Sequence, residues 1–304
     1  MKKYIRAAIT VAVLSFAGWY VYAHRAVFAV IQTLDWSYVP LMLGVVAASI
    51  IINGLVLVVI VYRFGVRLRW TEWFGLTAIG SMGNYAPIPQ AGPAARGLYL
   101  KKVHRFPLST YTAAVLVVYV VALAIQGMVG LVELAIFGLA GMTPPWPLWM
   151  IFGACAAASL LLLPLPTVSV SLPWIRKFQE GIQTLRNYRI LAGISFLQLL
   201  QILVSSAGLW VAFAAIHQPT GFGTCLLLTA MVLCSGVFNV TPGNIGVAES
   251  AAWFTASLLG DDADLAVVAY TVHRAVSAAT LFTLGPIFTI LLAGRKKAGG
   301  QQRS

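Results

Sequence analysis

Residues Ser235 to Ser250 read Ser-Gly-Val-Phe-Asn-Val-Thr-Pro-Gly-Asn-Ile-Gly-Val-Ala-Glu-Ser, and they sit inside a long apolar region. Asn239, Pro242, Gly243, Asn244, Gly246 and Glu249 all fall within it. A plain spanning helix does not tolerate Thr-Pro-Gly-Asn at such a point. Proline removes an amide donor and clashes with the preceding turn, and Gly-Asn favours left-handed backbone angles. Broken backbone at membrane depth survives only where it lines a cavity or is buried in protein. A carboxylate at that depth is expensive and marks a functional candidate. The stretch predicts a helical hairpin that enters the membrane, breaks and returns.

The surrounding chain supplies the membrane-like context. Of its 304 residues 60% are hydrophobic and 9% charged, a balance outside the range of soluble domains. That length accommodates roughly six to eight spans of about 20 residues and leaves no room for a soluble catalytic domain. A net charge of +12 raises the question of nucleic acid. No basic region stands clear of the apolar helices, so nucleic acid is not expected as a partner. Lys and Arg instead collect in cytoplasmic loops, where they also attract anionic headgroups. Cys155, Cys225 and Cys234 lie in apolar runs with no close pair. They read as small buried hydrophobes, and neither a metal site nor a cofactor is expected.

Taken in order, Lys2, Lys3 and Arg6 precede an apolar run over residues 7–23. A secretory signal peptide and a retained first span both fit that run; Trp19, Tyr20 and Tyr22 resemble the aromatic belt of a retained span. A second span is expected over 38–62, ended by the cytoplasmic charges Arg63, Arg67 and Arg69. Asn53 near its middle suits a hydrogen bond to another helix. Within 72–100 an apolar piece is broken by Gly83-Asn-Tyr-Ala-Pro-Ile-Pro-Gln-Ala-Gly-Pro93, which contains Asn84, Pro87, Pro89 and Gly92. Arg96 follows, and basic residues on both flanks imply a re-entrant hairpin starting and ending on the cytoplasmic side. An interfacial amphipathic helix in a cytoplasmic loop is the alternative.

A long helix over 107–141, with Gln126 near its middle and Glu133 at its outer end, leads to an external turn at Thr143–Pro147 and a fourth span over 148–163. Residues 164–189 form the one substantial polar connector. Trp174, Ile175, Phe178, Ile182 and Leu185 give it helical periodicity with a basic face, as for a helix on the inner leaflet. A fifth span over 190–216 carries Gln198 and Gln201 on one face. The second broken hairpin occupies 222–259, and a last span over 265–292 carries Arg274 and ends in Arg295, Lys296 and Lys297. Both termini are thereby expected in the cytoplasm of a multi-pass protein of the inner membrane.

The expected fold is an all-α polytopic membrane protein with about six spans and two re-entrant broken hairpins in an inverted repeat. The single transmembrane domain, 1–304, divides into a first repeat at 24–163, the connector at 164–189 and a second repeat at 190–293. Inverted repeats with discontinuous helices recur in transporters, where half-helix termini hold ions or charged groups. Arg274 stands about nine residues into its helix, roughly 13 Å deep. One reading has Arg96 and Arg274 grasping a phosphate bidentately, with Glu249 positioning the site or exchanging a proton, and with Asn84, Asn239 and Asn244 as polar contacts. The other has Arg274 and Glu249 pairing to clamp the second hairpin to the last helix.

At these residues the chain resembles a known family. The run Thr241-Pro-Gly-Asn-Ile-Gly-Val-Ala-Glu249 is similar to the Pro-Gly-Gly-Ile-Gly-x-x-Glu signature of the flippase-like integral membrane family. That family includes the transmembrane region of lysylphosphatidylglycerol synthases. Pro89-Gln-Ala-Gly92 followed by Arg96 and Leu100 resembles its earlier Pro-x-x-Gly…Arg motif, and Arg274 falls where the family's last helix carries an arginine. Asn244 replaces the family's second glycine. Val118 and Tyr119 stand roughly where a glutamate and an arginine commonly follow the first motif. The synthases' aminoacyl-transferase domain has no counterpart here, so the resemblance implies translocation or binding of an amphiphilic lipid, anionic or glycan-linked, and not lysyl transfer. No catalytic residue is expected. The alternatives are an accessory subunit working with envelope-biosynthesis enzymes, or a membrane-embedded lipid transferase using His104 or His273.

Overall fold

The computed structural model describes residues 32–86, 90–162, 183, 187–236 and 241–301. Among them the chain is helical and contains no strand. A single turn at Trp36–Tyr38, capped by the Asp35 carboxylate accepting from Ser37 N–H at 2.9 Å, opens α1, Val39–Arg63. Helix α2, Trp70–Gly83, begins where Glu72 Oε2 accepts from Arg69 N–H at 2.9 Å, half of a capping box. It stops at the Gly-Asn pair that precedes Pro87. Helix α3, Ala91–His104, starts after Gln90, whose φ of 58° turns the chain back on itself. The longer α4, Leu108–Leu139, follows Pro107, and α5, Trp146–Leu162, follows the proline-rich turn. The second half repeats the order with α6, Tyr188–Ala215, then α7, Phe222–Gly236, and α8, Val247–Leu259, and last α9, Ala263–Gln301.

Four of these helices, α1, α4, α6 and α9, are long and apolar enough to cross a membrane. Their apolar segments, Trp36–Arg63, Leu108–Leu139, Tyr188–Ala215 and Ala263–Ala293, lie within a residue or two of the spans expected at 38–62, 107–141, 190–216 and 265–292, and α9 continues to Gln301. Helix α5, 17 residues, corresponds to the span expected at 148–163. The apolar run at 7–23 and nearly all of the connector at 164–189 lie outside the described residues. The spanning helices are apolar all round, so residues such as Leu139, Ile290 and Val132 are exposed without a polar face opposite. That is the surface expected against lipid. Trp36, Tyr62, Trp70, Trp146 and Tyr188 are exposed at helix ends, where aromatic side chains bridge hydrocarbon and headgroups.

The packing is reciprocal between the halves. Helices α1 and α6 lie against each other, α2 packs on α9, and α7 packs on α4. The first arm of each hairpin therefore rests on the long helix of the other half. Hydrophobic burial contributes little between helices in lipid, so close approach of backbones must supply the attraction. Phe288 of α9 fills the space over Gly75 of α2, and Met82 of α2 fills that over Gly285 of α9. Between α4 and α5, Gly130 lies under the Phe152 ring and Gly127 lies against the Phe152 carbonyl and the Ala156 amide.

This contact yields a sharp expectation. A Cβ at Gly127 would meet Phe152 O and Ala156 N at 2.7 Å, which only a backbone shift relieves, whereas one at Gly153 meets nothing within 4 Å. Gly127→Ala should destabilise the protein by about 1–3 kcal/mol and Gly153→Ala should be neutral, as read by thermal unfolding in detergent.

Candidate functional site

The two helix breaks meet through a backbone hydrogen bond. Gly243 N–H donates to the Asn84 carbonyl oxygen at 2.6 Å, joining the tip of the second hairpin to that of the first. The second tip is a single tight turn at Pro242–Asn244, in which Gly243 and Asn244 both take left-handed angles, φ 61° and 59°. Glycine adopts such angles without strain, and asparagine is among the side chains that tolerate them best. Asn244 therefore holds this left-handed position at little conformational cost. Thr241 Oγ1 donates to Ile245 O at 2.7 Å and closes the turn.

Glu249 stands in the first turn of α8 and serves two partners. Its Oε2 accepts from Gly246 N–H at 2.7 Å, satisfying one of the orphan amides of the helix, while its Oε1 accepts from Arg274 Nη1 at 2.6 Å. Arg274 Nη2 donates to the Gly243 carbonyl, and the guanidinium lies 5.8 Å from the centre of the Tyr85 ring. Arg274 thus ties α9 to the start of α8, to the turn, and to the first hairpin. A Cβ at Gly243 would strike Tyr85 at 2.7 Å, so this glycine is required by space as well as by φ.

Arg96 is held differently. Its Nε donates to Leu76 O at 3.2 Å and its Nη2 to Thr77 O at 3.3 Å, both in α2, with the side chain lying across Gly80. No carboxylate pairs with it among the described residues. Gly92 sits where α3 crosses the end of α2, against Gly80 O and the Asn84 side chain, and has no room for a Cβ.

A cavity of about 440 Å³ opens between the two tips. Arg96, Asn84, Gly243 and Asn244 line it, and Arg274 and Glu249 do not. The structure therefore separates the two arginines: one faces the cavity, the other is committed to the clamp behind the second turn. Gly92 and Gly246 shape the tips from outside the lining. Asn239, Pro87 and Pro89 lie outside the described residues, and Pro242 contributes backbone to the turn.

Several lining residues come from elsewhere in the chain. Asn53 of α1 donates to Gln201 Oε1 of α6 at 3.0 Å, and Gln201 donates on to Ser205 Oγ at 2.9 Å. Gln198 and Gln126 join them, as do Tyr111 and Tyr119. Tyr119 Oη lies 3.0 Å from Gln90 Oε1 and donates to it, fastening α4 to the start of α3. The signal for these residues is a carboxamide or phenol in an otherwise apolar span. His104 lies instead 3.4 Å from Glu72, which also accepts from Tyr99 Oη at 3.0 Å. The His273 ring packs against Gly208 of α6. Neither histidine lines the cavity.

The clamp sits at 12% and 21% side-chain exposure for Arg274 and Glu249, so removing one partner strands a largely buried charge. Arg274→Met should destabilise the protein by about 2 kcal/mol or more, and Arg274→Met with Glu249→Gln by less than the single change. Arg274→Lys should not rescue it, because an ammonium does not reproduce the fork that reaches both acceptors. Thermal unfolding of the purified variants in detergent checks all three.

Compared with models of protein families, residues 5–285 match the family described as the Lysylphosphatidylglycerol synthase TM region. No curated protein matches the chain.

Proposed function

This chain belongs to the lysylphosphatidylglycerol synthase TM region family, a multi-pass membrane protein of lipid-related function, and from that premise we propose that it binds the headgroup of a membrane amphiphile between its hairpin tips and passes it between leaflets. The observation that carries this reading is the cavity formed where both breaks meet, lined by carboxamides, phenols and a guanidinium with no carboxylate partner among the described residues. Apolar helices do not assemble carboxamides, phenols and an arginine around a shared space without a polar occupant to offset the desolvation.

On this reading the hairpins are re-entrant and the halves form an inverted repeat. The arms α2, α3, α7 and α8 contain 14, 14, 15 and 13 residues. At about 1.5 Å per residue, each is roughly 20 Å long, short of the ~30 Å hydrocarbon core. The reciprocal packing of α2 on α9 and α7 on α4 supports the same relation between the halves. Arginine and lysine flanking the first hairpin and in the last turns of α9 support cytoplasmic termini in an inner membrane.

Arg96 is the headgroup anchor. Two α2 carbonyls fix its orientation, which lowers the entropy lost when it binds a phosphate. The Arg274–Glu249 pair keeps the second tip closed and faces no headgroup. Acyl chains stay in lipid while the headgroup passes through the cavity, so no covalent step is required. A transferase would need a base at the cavity, and among its described lining residues there is no histidine and no carboxylate.

Reconstitution into liposomes with headgroup-labelled anionic and zwitterionic lipids tests the proposal. Wild type should redistribute the anionic lipid between leaflets, and Arg96→Gln should slow it by about tenfold or more, the loss of one charge-assisted contact. Its melting temperature should stay close to wild type. A folded, reconstituted wild type that redistributes no lipid would overturn the reading and favour an accessory role.

A further inference from the structure

We infer that the cavity takes a headgroup with one anionic phosphate and an uncharged, hydroxyl-rich body, such as a polyol or sugar phosphate, and rejects a cationic headgroup. This rests on the proposal that the cavity holds a headgroup, and it adds which chemical class.

The first observation is charge. Among the described lining residues Arg96 is the one charged side chain. The break residues outside the description, 87–89 and 237–240, read Pro-Ile-Pro and Val-Phe-Asn-Val and carry no charge. The chain has only eight acidic residues. Glu249 is spent on Arg274, and Glu72 receives Arg69 N–H and Tyr99 Oη. A cavity whose described lining holds one guanidinium and no carboxylate attracts a single negative charge. A buried ammonium finds no counter-ion among the described lining residues, and a charge desolvated without a partner is disfavoured.

The second observation is hydrogen-bonding capacity. Asn84 Oδ1, Gln126 Oε1 and Asn244 Oδ1 are buried and have no hydrogen-bond partner among the described residues. All three side chains line the cavity, and Gln198 adds a fourth carboxamide. Buried acceptors left unpaired are costly, so their presence around one space points to a ligand that brings donors. A phosphate ionised at neutral pH brings acceptors and satisfies none of them. An alcohol hydroxyl both donates and accepts, as a carboxamide does, so each pairing holds whichever way the amide is turned. The cavity thus divides in function. Arg96 takes the phosphate, and amides from α2, the α7–α8 turn, α4 and α6 surround a body bearing several hydroxyls.

The volume, about 440 Å³, lies within the range of sites for small molecules. The same chemistry exists on lipids and on free polyol phosphates, and short-chain probes separate them. Binding to the detergent-solubilised full chain would be measured by calorimetry for dioctanoyl phosphatidylinositol, phosphatidylglycerol, phosphatidic acid and lysylphosphatidylglycerol, and for soluble inositol phosphate. Phosphatidylinositol and phosphatidylglycerol should bind about tenfold or more tighter than phosphatidic acid and the cationic lysyl lipid. Gln126→Leu or Gln198→Leu should bring phosphatidylinositol down towards phosphatidic acid. Arg96→Gln should weaken all three anionic lipids by a similar factor.

Phosphatidic acid binding as tightly as phosphatidylinositol would overturn the hydroxyl requirement, and the lysyl lipid binding as tightly as phosphatidylglycerol would overturn the charge requirement. Either result leaves the proposed headgroup site intact. Absence of binding by every lipid would overturn that site itself. Soluble inositol phosphate binding as tightly as its lipid would overturn the lipid source while keeping the headgroup class.

Discussion

Backbone that leaves the helix inside an apolar protein exposes amides and carbonyls that must be paired within it, and here the two breaks pair with each other. The bond from Gly243 N–H to Asn84 O ties the hairpins at their tips. The neighbouring carbonyl of Gly243 is taken by Arg274, and the first orphan amide of α8 by Glu249. Each interaction satisfies a group that would otherwise stand unpaired at depth. Together they explain why an arginine and a glutamate are tolerated so far from water. The cavity exists because these bonds hold two tips apart from the surrounding helices while holding them to each other.

The two arginines then differ by what shares their surroundings. Arg274 meets a carboxylate, a carbonyl and an aromatic face, so its charge is compensated locally. Arg96 meets two carbonyls of α2, which orient it and leave its positive charge without a carboxylate among the described residues. In surroundings of low dielectric that difference is large. The compensated arginine suits a fastening, and the uncompensated one suits recognition of an anion. The sequence places Arg96 just after a break and Arg274 within the last helix, and does not distinguish these roles.

Reciprocal packing gives the site its frame. Because α2 rests on α9 and α7 on α4, neither half of the chain encloses the cavity alone. The amides around it come from both halves, and the Asn53–Gln201 bond crosses the central α1–α6 contact. Tyr119 adds a bond to Gln90 from α4, a neutral fastening to the first hairpin.

Much of this protein was legible without the fold. Hydropathy located the apolar segments of α1, α4, α6 and α9 within a residue or two, because burial in lipid depends on summed apolar content along a segment. Proline, glycine and asparagine marked both breaks, because φ preferences act within a residue: Gly243 and Asn244 are left-handed wherever the turn is placed. What the chain could not reveal was which side chains share a space. A helix that is apolar all round has no sequence-coded inner face, so the rotation that brings Gln126, Gln198 and Asn53 together is decided by packing against other helices. The same holds for Arg96 and Arg274. Their depth follows from position along a helix, but their partners follow from how two distant hairpins cross, and only the tertiary structure decides that.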